Sequence, residues 1–154
     1  MKHLAMIAGV MATMNMNSAD AAPLAHPVEY SSRFSVNGRS LPYSTAVRVG
    51  DVLYLSGQMG FRNDGTIAEG IEGQTGQAIE NIQAVLRDSG RDLTDVFHCT
   101  VILTDMAHWP AFNRVYLQYF HDPLPARSAF AAKGLVLGGL VEIECQAFAG
   151  KASA

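Results

Sequence analysis

The sequence predicts an α+β fold, a two-layer sandwich in which a mixed sheet carries two helices on one face. Along the chain the patterns follow the order strands, helix, strand, helix, strands, which is typical of two-layer domains. Apolar residues recur every three or four positions over 72–89 and 107–120, as on the buried face of an amphipathic helix. With 154 residues, of which 49% are hydrophobic and 16% charged, the chain is long enough for one domain with a buried core.

Two short strands are predicted early in the domain, at 47–49 and 52–55, on either side of a tight turn. The second strand is followed by Ser56 and Gly57. A glycine here lets backbone amides approach a ligand closely, or it relieves steric crowding at a bulge, and the residues alone do not decide between these uses. The segment 58–70 is expected to form a loop, with a short hairpin at the Asn63-Asp64-Gly65 turn as the alternative.

Both predicted helices carry recognisable terminal residues. The first helix is followed by Gly90, a residue type that readily adopts the left-handed conformation found after many helices. In the second helix, Pro110 fits the first turn, where its missing N–H leaves no hydrogen bond unmade. A stripe of aromatic residues along this helix is expected to face the core: Trp109, Phe112, Tyr116, Tyr119 and Phe120.

The segment 96–103 is the longest β-branched run and is predicted to be a strand. Alternation places Phe97, Cys99, Val101 and Leu103 on one face and His98, Thr100 and Ile102 on the other. Cys99 and Cys145 both fall on apolar faces, so two buried free thiols are expected, with a disulfide as the alternative if their Cα atoms lie within about 7 Å. No ligand spacing typical of a metal site is present, so no metal is expected.

The C-terminal segment 140–147 alternates strictly between apolar and polar residues. One face carries Val141, Ile143, Cys145 and Ala147, and the other carries Glu142, Glu144 and Gln146. The preceding strand, 125–130, contains Arg127 shortly after two prolines. We predict that these two strands lie side by side, which would bring Arg127 and Glu142 to one cleft.

The charged residues of these strands are the candidate site residues, each with a structural alternative. A guanidinium binds a carboxylate ligand through two hydrogen bonds, but Arg127 also suits a salt bridge to Glu142 or Asp122. Two carboxylates on one strand face suit acid–base work, but strand carboxylates are more often solvated or paired. The residues do not select Glu142 over Glu144 by themselves.

Four segments together resemble the Rid family, the YjgF-type reactive intermediate (imine/enamine) deaminases. They occur in unbroken order over roughly residues 40–150 and comprise 41–46, 55–58, 101–106, and the C-terminal run 125–130 with 134–149. The resemblance implies a chorismate-mutase-like homotrimer whose sheets form a central barrel, with sites between neighbouring subunits. It also implies cofactor-independent hydrolysis of 2-aminoacrylate or 2-iminopropionate to a 2-keto acid and ammonia.

The same resemblance implies roles for individual residues. Arg127 would hold the substrate carboxylate and Glu142 would position or polarise the attacking water, which makes these two the catalytic candidates. The implied substrate-binding residues are Tyr43, Ser56, Gly57, Asn113, Ser128 and Ala129, partly from a neighbouring subunit. The chain departs from the family pattern at Ala129, where many members have cysteine, and at Gly60, where many have proline.

The overall charge restricts the classes of partner. The net charge is −3, the isoelectric point is about 5.9, and no run of Lys or Arg exists, so no nucleic-acid partner is expected. This disfavours the endoribonuclease activity proposed for some relatives. A non-catalytic trimeric module that binds small carboxylates or protects proteins is the alternative to an enzyme, because it would also use Arg127.

The N-terminus has the features of a signal peptide, with a disordered tail or a misassigned start codon as the alternatives. Lys2 precedes an apolar stretch over 4–14, and Ala19-Asp20-Ala21 provides a small-x-small cleavage site. We therefore divide the chain into a signal peptide (1–21), a linker with room for an edge strand (22–39) and a Rid-like deaminase domain (40–154). The mature protein is expected in the periplasm or outside the cell, with no membrane segment after cleavage.

We predict that the mature chain begins at Ala22, because signal peptidase cleaves after the second small residue of such a site. Intact-mass measurement of the natively expressed protein checks this. A cytosolic species that still begins at Met1 would contradict it.

Overall fold

The computed structural model describes residues 28–32, 35–36 and 39–150, so the predicted signal peptide lies outside the described residues. The helices are α1 (Gly70–Asp88) and α2 (Trp109–Tyr119). Short 3-10 turns occur at 93–95, 106–108 and 136–138. The strands are β1 (Val28–Ser31), β2 (Ser35–Val36), β3 (Arg39–Ser40), β4 (Ala46–Val49), β5 (Val52–Leu55), β6 (Gln58–Met59), β7 (Val96–Leu103), β8 (Ala126–Ala131) and β9 (Val141–Phe148).

One sheet contains seven strands in the order β1-β4-β5-β9-β7-β8, and β6 also pairs with β9. Strands β7 and β8 are parallel and the other pairs are antiparallel, so the sheet is mixed. Strands β2 and β3 form a separate two-stranded ribbon. Both helices share one hydrophobic core with a single face of the sheet, which confirms the predicted α+β class.

The core lies between the helices and this covered face. Strand β9 has the predicted alternation, since its apolar side chains are buried and its polar ones are partly or fully exposed. Full burial of a Leu, Ile, Val or Phe side chain contributes roughly 1.5–3 kcal/mol. These contributions fix the strand register, because a one-residue slip would expose the whole apolar set. The largest fully buried apolar side chains are Leu53, Leu55, Ile79, Ile82, Leu86, Val101, Leu103, Phe112, Val141 and Ile143.

The helices lie close to their predicted positions. Helix α1 begins two residues before the predicted start, and Gly90 after its end has φ +67°, the left-handed conformation expected of it. Helix α2 is shorter than predicted, because residues 106–108 form a 3-10 turn in which the Asp105 carboxylate accepts a hydrogen bond from the Ala107 N–H at 2.8 Å. No helix in the described part of the chain is long and apolar enough to cross a membrane.

The predicted pairing of the Arg127 strand with the Glu142 strand is wrong. Strand β7 lies between them: Cys99 is the partner of Arg127 on β8 and of Cys145 on β9. Strands β7 and β8 are parallel and are joined through α2, since a parallel pair needs a crossover connection. Strand β9 then pairs along the other edge of β7, one strand away from Arg127.

The expectation of two free thiols is also wrong, because Cys99 and Cys145 form a disulfide. The alternation places both side chains on the covered face, but only the strand register shows that they are direct cross-strand partners, with Cα atoms 4.1 Å apart. The bond closes a loop between residues 46 positions apart. In the chain-entropy model, a loop of this length stabilises the fold by about 4 kcal/mol.

Two further segments differ from expectation. A register shift between Val96 and His98 turns Phe97 out of the core, so that Phe97 is 43% exposed and does not share a face with Cys99. At the N-terminal side, Val28–Ser31, within the predicted linker, pairs with β4 and extends the sheet. Within the same predicted linker, residues 35–36 also form a short strand, which pairs with 39–40.

Candidate functional site

Arg127 lies on β8 with its side chain on the helix side of the sheet, as its partner Cys99 does. The Cζ atom of its guanidinium group lies 4.6 Å from the ring centroid of Trp109, 4.5 Å from that of Tyr116 and 5.6 Å from that of Phe112. Within the described residues, no acceptor takes a hydrogen bond from Arg127 and no carboxylate pairs with it. The salt bridge considered with Glu142 or Asp122 is therefore not formed there.

Helix α2 supplies the aromatic surface beside Arg127. Consecutive ring centroids along Trp109, Phe112, Tyr116 and Phe120 are 5.7, 5.5 and 4.3 Å apart. Asn113 follows Trp109 by four positions and precedes Tyr116 by three, so it belongs to the same side of the helix. The structure therefore brings the candidate Asn113 to the helix face that Arg127 covers.

The phenol of Tyr116 is an unusual feature of this surface. Its hydroxyl is buried and has no hydrogen-bond partner among the described residues. Burial raises the pKa of Tyr116, and the nearby Arg127 cation opposes this rise. The phenol therefore stays neutral at physiological pH and presents a neutral ring to the guanidinium.

Glu142 lies on the opposite face of the sheet from Arg127. Its neighbours Val141 and Ile143 are fully buried towards the helices, whereas Glu142 is half-buried on the other side. Its carboxyl group lies directly over Gly57, where an added Cβ would overlap Oε1 and come within 2.8 Å of Cδ. The Glu142 side chain therefore occupies the space that a side chain at position 57 would need.

The environment of Glu142 favours its protonated form. Burial is the main cause that raises the pKa of this carboxyl group, and the negative charge of Glu144 raises it further. Glu144 lies two positions along the same strand face and is exposed. A carboxylate with a raised pKa is a stronger base than a free glutamate, so Glu142 is the better candidate for accepting a proton.

The turn that precedes Glu142 is held by one side chain that was not predicted from the sequence as part of the site. Gln74 on α1 is buried; its amide donates to the Gly138 carbonyl at 3.3 Å and its oxygen accepts from the Leu140 N–H at 2.7 Å. Gln74 thus fixes the turn that leads into β9. The sequence pattern that could have indicated this role is a glutamine among the mostly apolar core-facing positions of the predicted helix.

The remaining predicted site residues lie at several places. The Ser56 hydroxyl donates a hydrogen bond to the Ser44 carbonyl at 2.7 Å and so links the residue after β5 to the segment that contains Tyr43. Tyr43 is 51% exposed. Ser128 and Ala129 are adjacent on β8 and therefore face opposite sides of the sheet. Ala129 shares the side of Arg127, and Ser128 shares the side of Glu142.

One chain therefore divides the predicted site into two groups on opposite faces of the sheet. Arg127, Ala129 and Asn113 belong to the helix side, and Glu142 and Ser128 belong to the open side. Trp109 and Tyr116 were predicted only as core aromatics, because an aromatic stripe has the same spacing whether it contacts a cation or the core. No cluster of three or more His, Cys, Asp or Glu that suits a metal occurs in the described ranges.

Comparison of the chain with known proteins identifies its family. The family model described as "Endoribonuclease L-PSP" matches residues 37–149. The chain is 40% identical over 111 residues, 71% of its length and 81% of the relative's, to the 2-iminobutanoate/2-iminopropanoate deaminase of Capra hircus. It is 41% identical over 106 residues, 67% of its length and 83% of the relative's, to the RutC family protein y4sK of Sinorhizobium fredii.

A solved structure gives the same result for the fold. The crystal structure of RidA from the Antarctic bacterium Psychrobacter sp. PAMC 21119 superposes with a TM-score of 0.70 at 36% sequence identity, covering 77% of this chain and 94% of that chain. The matched region contains every residue of the candidate site, from Tyr43 to Glu142. The chain belongs to the Endoribonuclease L-PSP family, the family of the RutC, YjgF and Rid proteins.

Proposed function

We propose that this protein hydrolyses reactive 2-imino acids and their enamine tautomers, of the 2-iminopropionate and 2-aminoacrylate type, to 2-keto acids and ammonia. The observation that carries the proposal is the half-buried Arg127 guanidinium, which contacts aromatic rings and has no anionic partner among the described residues. Such a cation is ready to bind a carboxylate. Relatives named 2-iminobutanoate/2-iminopropanoate deaminase, at 36–40% identity, support the reaction class.

The reaction needs orientation and proton transfer. Arg127 binds the substrate carboxylate, a charge-assisted contact worth roughly 1.5–3 kcal/mol. Glu142 accepts a proton from water while the water oxygen adds to the carbon of the protonated imine, and the nitrogen becomes an amine. Glu142 then passes this proton to the amine, the carbon–nitrogen bond breaks, and ammonia leaves as the new hydroxyl group gives its remaining proton to Glu142 and becomes the keto carbonyl. Release of that proton to ammonia restores the Glu142 carboxylate. Residues of this chain account for every step, so the proposal includes no cofactor.

Two arguments support a homotrimer as the active form. Arg127 and Glu142 lie on opposite faces of the sheet, so a site that contains both needs a second copy of the chain. The open face also exposes a set of large apolar side chains that an isolated domain would leave in water. These are Val28, Tyr30, Val49, Tyr54, Phe130 and Phe148, each 43–72% exposed.

Export of the protein is a separate proposal. It is supported by the apolar stretch over 4–14 and by the Ala19-Asp20-Ala21 site. The family match begins at residue 37, so the proposed signal peptide and the matched domain do not overlap. An exported member would meet imino acids in the periplasm or outside the cell.

The proposed reaction is tested by releasing 2-iminobutyrate with an amino-acid oxidase and following its decay with and without the protein. We expect the wild-type protein to accelerate decay, and Arg127→Ala to lose this acceleration while remaining folded, since the carboxylate contact and its orientation are both removed. Arg127→Lys should recover part of the activity, because lysine keeps the charge without the planar fork. Binding of 2-ketobutyrate without any acceleration by the wild-type protein would instead indicate a non-catalytic binding module.

The raised pKa of Glu142 predicts the pH dependence of turnover. Glu142 acts as the carboxylate, so activity should fall as the pH decreases through a value above the ordinary 4.5 of a glutamate. Glu144→Gln removes the second cause of the raised pKa, so the acidic limb should move to lower pH while the rate at neutral pH stays unchanged. Rate–pH profiles of the two proteins measure this shift, and an unmoved limb would contradict it.

Glu142→Gln is the variant matched to Glu144→Gln. It should lower the turnover rate by about 10²-fold, because the amide accepts no proton. It should also be more stable than wild type at neutral pH. A carboxyl group whose folded pKa is raised stabilises the fold when protonated and loses that contribution as the pH rises through the folded pKa. Urea unfolding at neutral pH checks the sign, and loss of activity in Glu144→Gln but not in Glu142→Gln would contradict the assignment.

Complementation between inactive chains tests the shared site. Trimers reconstituted from equal amounts of Arg127→Ala and Glu142→Gln chains should recover about a quarter of the wild-type activity, since that fraction of interfaces combines an intact arginine with an intact glutamate. Each variant alone is the control. No recovery in mixed trimers verified by native mass spectrometry, or a stable monomer at micromolar concentration, would contradict the shared site.

A further inference from the structure

Arg127 occupies an environment that is uncommon for a half-buried cation. Three aromatic rings of α2 lie within 5.6 Å of its Cζ atom, and no anion pairs with it among the described residues. A cation within about 6 Å of an aromatic centroid is attracted by the negative face of the ring. The rings therefore hold the guanidinium in place without neutralising its charge.

The aromatic surface is rigid where it contacts the cation. Phe112 and Tyr116 are 0% and 2% exposed, and Tyr116 is stacked on Phe120 with ring centroids 4.3 Å apart. Trp109, the first ring of the row, is only partly buried. It is stacked on Phe112 with ring centroids 5.7 Å apart. Packing therefore leaves the inner rings little freedom, and Trp109 is the member whose replacement disturbs the core least.

The contact of Arg127 with aromatic rings instead of a carboxylate affects how it can bind a ligand. An aspartate or glutamate paired with Arg127 would occupy the N–H donors and compete with a ligand carboxylate. An aromatic face attracts the cation but leaves those donors available for a planar, two-oxygen ligand. The arrangement keeps the arginine both fixed in position and fully charged.

We propose that Trp109 and Tyr116 are positioning residues that orient the Arg127 guanidinium for the carboxylate of the ligand. The inference deepens the proposed function and rests on it for the identity of the ligand. Trp109 and Tyr116 act through Arg127 and contribute ring faces rather than hydrogen bonds. Their effect is specific to ligands that carry a carboxylate.

The experiment compares Trp109→Met with Trp109→Phe, because methionine fills a similar space without a ring and phenylalanine restores a ring face. The probe is 2-ketobutyrate, titrated by calorimetry, with 2-butanone as the analogue without a carboxylate. We expect Trp109→Met to weaken 2-ketobutyrate binding by about 3- to 30-fold, the range of a cation–π contact. Trp109→Phe should recover most of the affinity, and weak 2-butanone binding should be the same in all three proteins.

A control on the same helix separates positioning from general packing. Tyr119 is also a partly buried aromatic of α2, but it contacts Glu80 at 3.4 Å and not Arg127. Tyr119→Leu should leave 2-ketobutyrate affinity unchanged. Tyr116→Leu makes the same change at a ring that contacts Arg127, so it should weaken 2-ketobutyrate binding as Trp109→Met does.

Turnover provides a second readout. In the imine assay, Trp109→Met should raise KM by the same factor as the affinity falls, with kcat nearly unchanged, whereas a loosened fold would lower both kcat and the melting temperature. If Trp109→Met fails to fold, Trp109→Leu takes its place with the same expectation. Since the chain has one tryptophan, a shift of its fluorescence in Arg127→Ala reports the contact in the wild-type protein.

The outcomes distinguish this inference from the proposed reaction. Weaker 2-ketobutyrate binding in Trp109→Met, with recovery in Trp109→Phe, supports the positioning role even if the protein hydrolyses no imine. Unchanged affinity in Trp109→Met, an equal loss in Tyr119→Leu, or no recovery in Trp109→Phe would overturn it, whatever the turnover. Absence of 2-ketobutyrate binding by the wild-type protein would overturn it as well, because Arg127 would then not be oriented for a carboxylate.

Discussion

The position of β7 between β8 and β9 is the constraint on which the candidate site depends. Cys99 on β7 is the register partner of Arg127 on one side and is bonded to Cys145 on the other. Because strand side chains alternate, these pairings assign Arg127 to the helix-covered face and Glu142 to the open face. A slip of one residue in either pairing would reverse that assignment and expose apolar core residues, so core packing and site geometry are fixed together.

The two faces give the two charged groups different environments. Arg127 is surrounded by aromatic rings and Glu142 lies beside Glu144 over Gly57, with a raised pKa. Within the described residues neither charge has a partner of opposite sign. A partly buried charge is destabilised by desolvation unless an opposite charge or hydrogen bonds compensate for it. The proposed ligand carboxylate at the arginine and the proposed second copy of the chain across the open face would account for both.

Local periodicity was sufficient to predict the fold class, the two helices and the alternation of β9, because each depends on residues close in sequence. The strand order and the Cys99–Cys145 bond depend on pairing between distant segments, which periodicity does not determine. Phe97 was misplaced because a register shift is a property of two strands. For the candidate site, Arg127 and Glu142 were selected through motifs. Trp109 and Tyr116 could not be distinguished from core aromatics until the structure showed the Arg127 cation beside them.

The arrangement also explains how a site with so few functional groups suffices for the proposed reaction. An imine already reacts with water, so the protein needs to orient it and supply a base rather than generate a strong nucleophile. Rings hold the arginine without competing for its donors, which leaves its full charge for the ligand. Burial and Glu144 raise the pKa of Glu142 and make it a better proton acceptor. The features that leave Arg127 and Glu142 without partners in one chain are thus the ones that the proposed reaction would use.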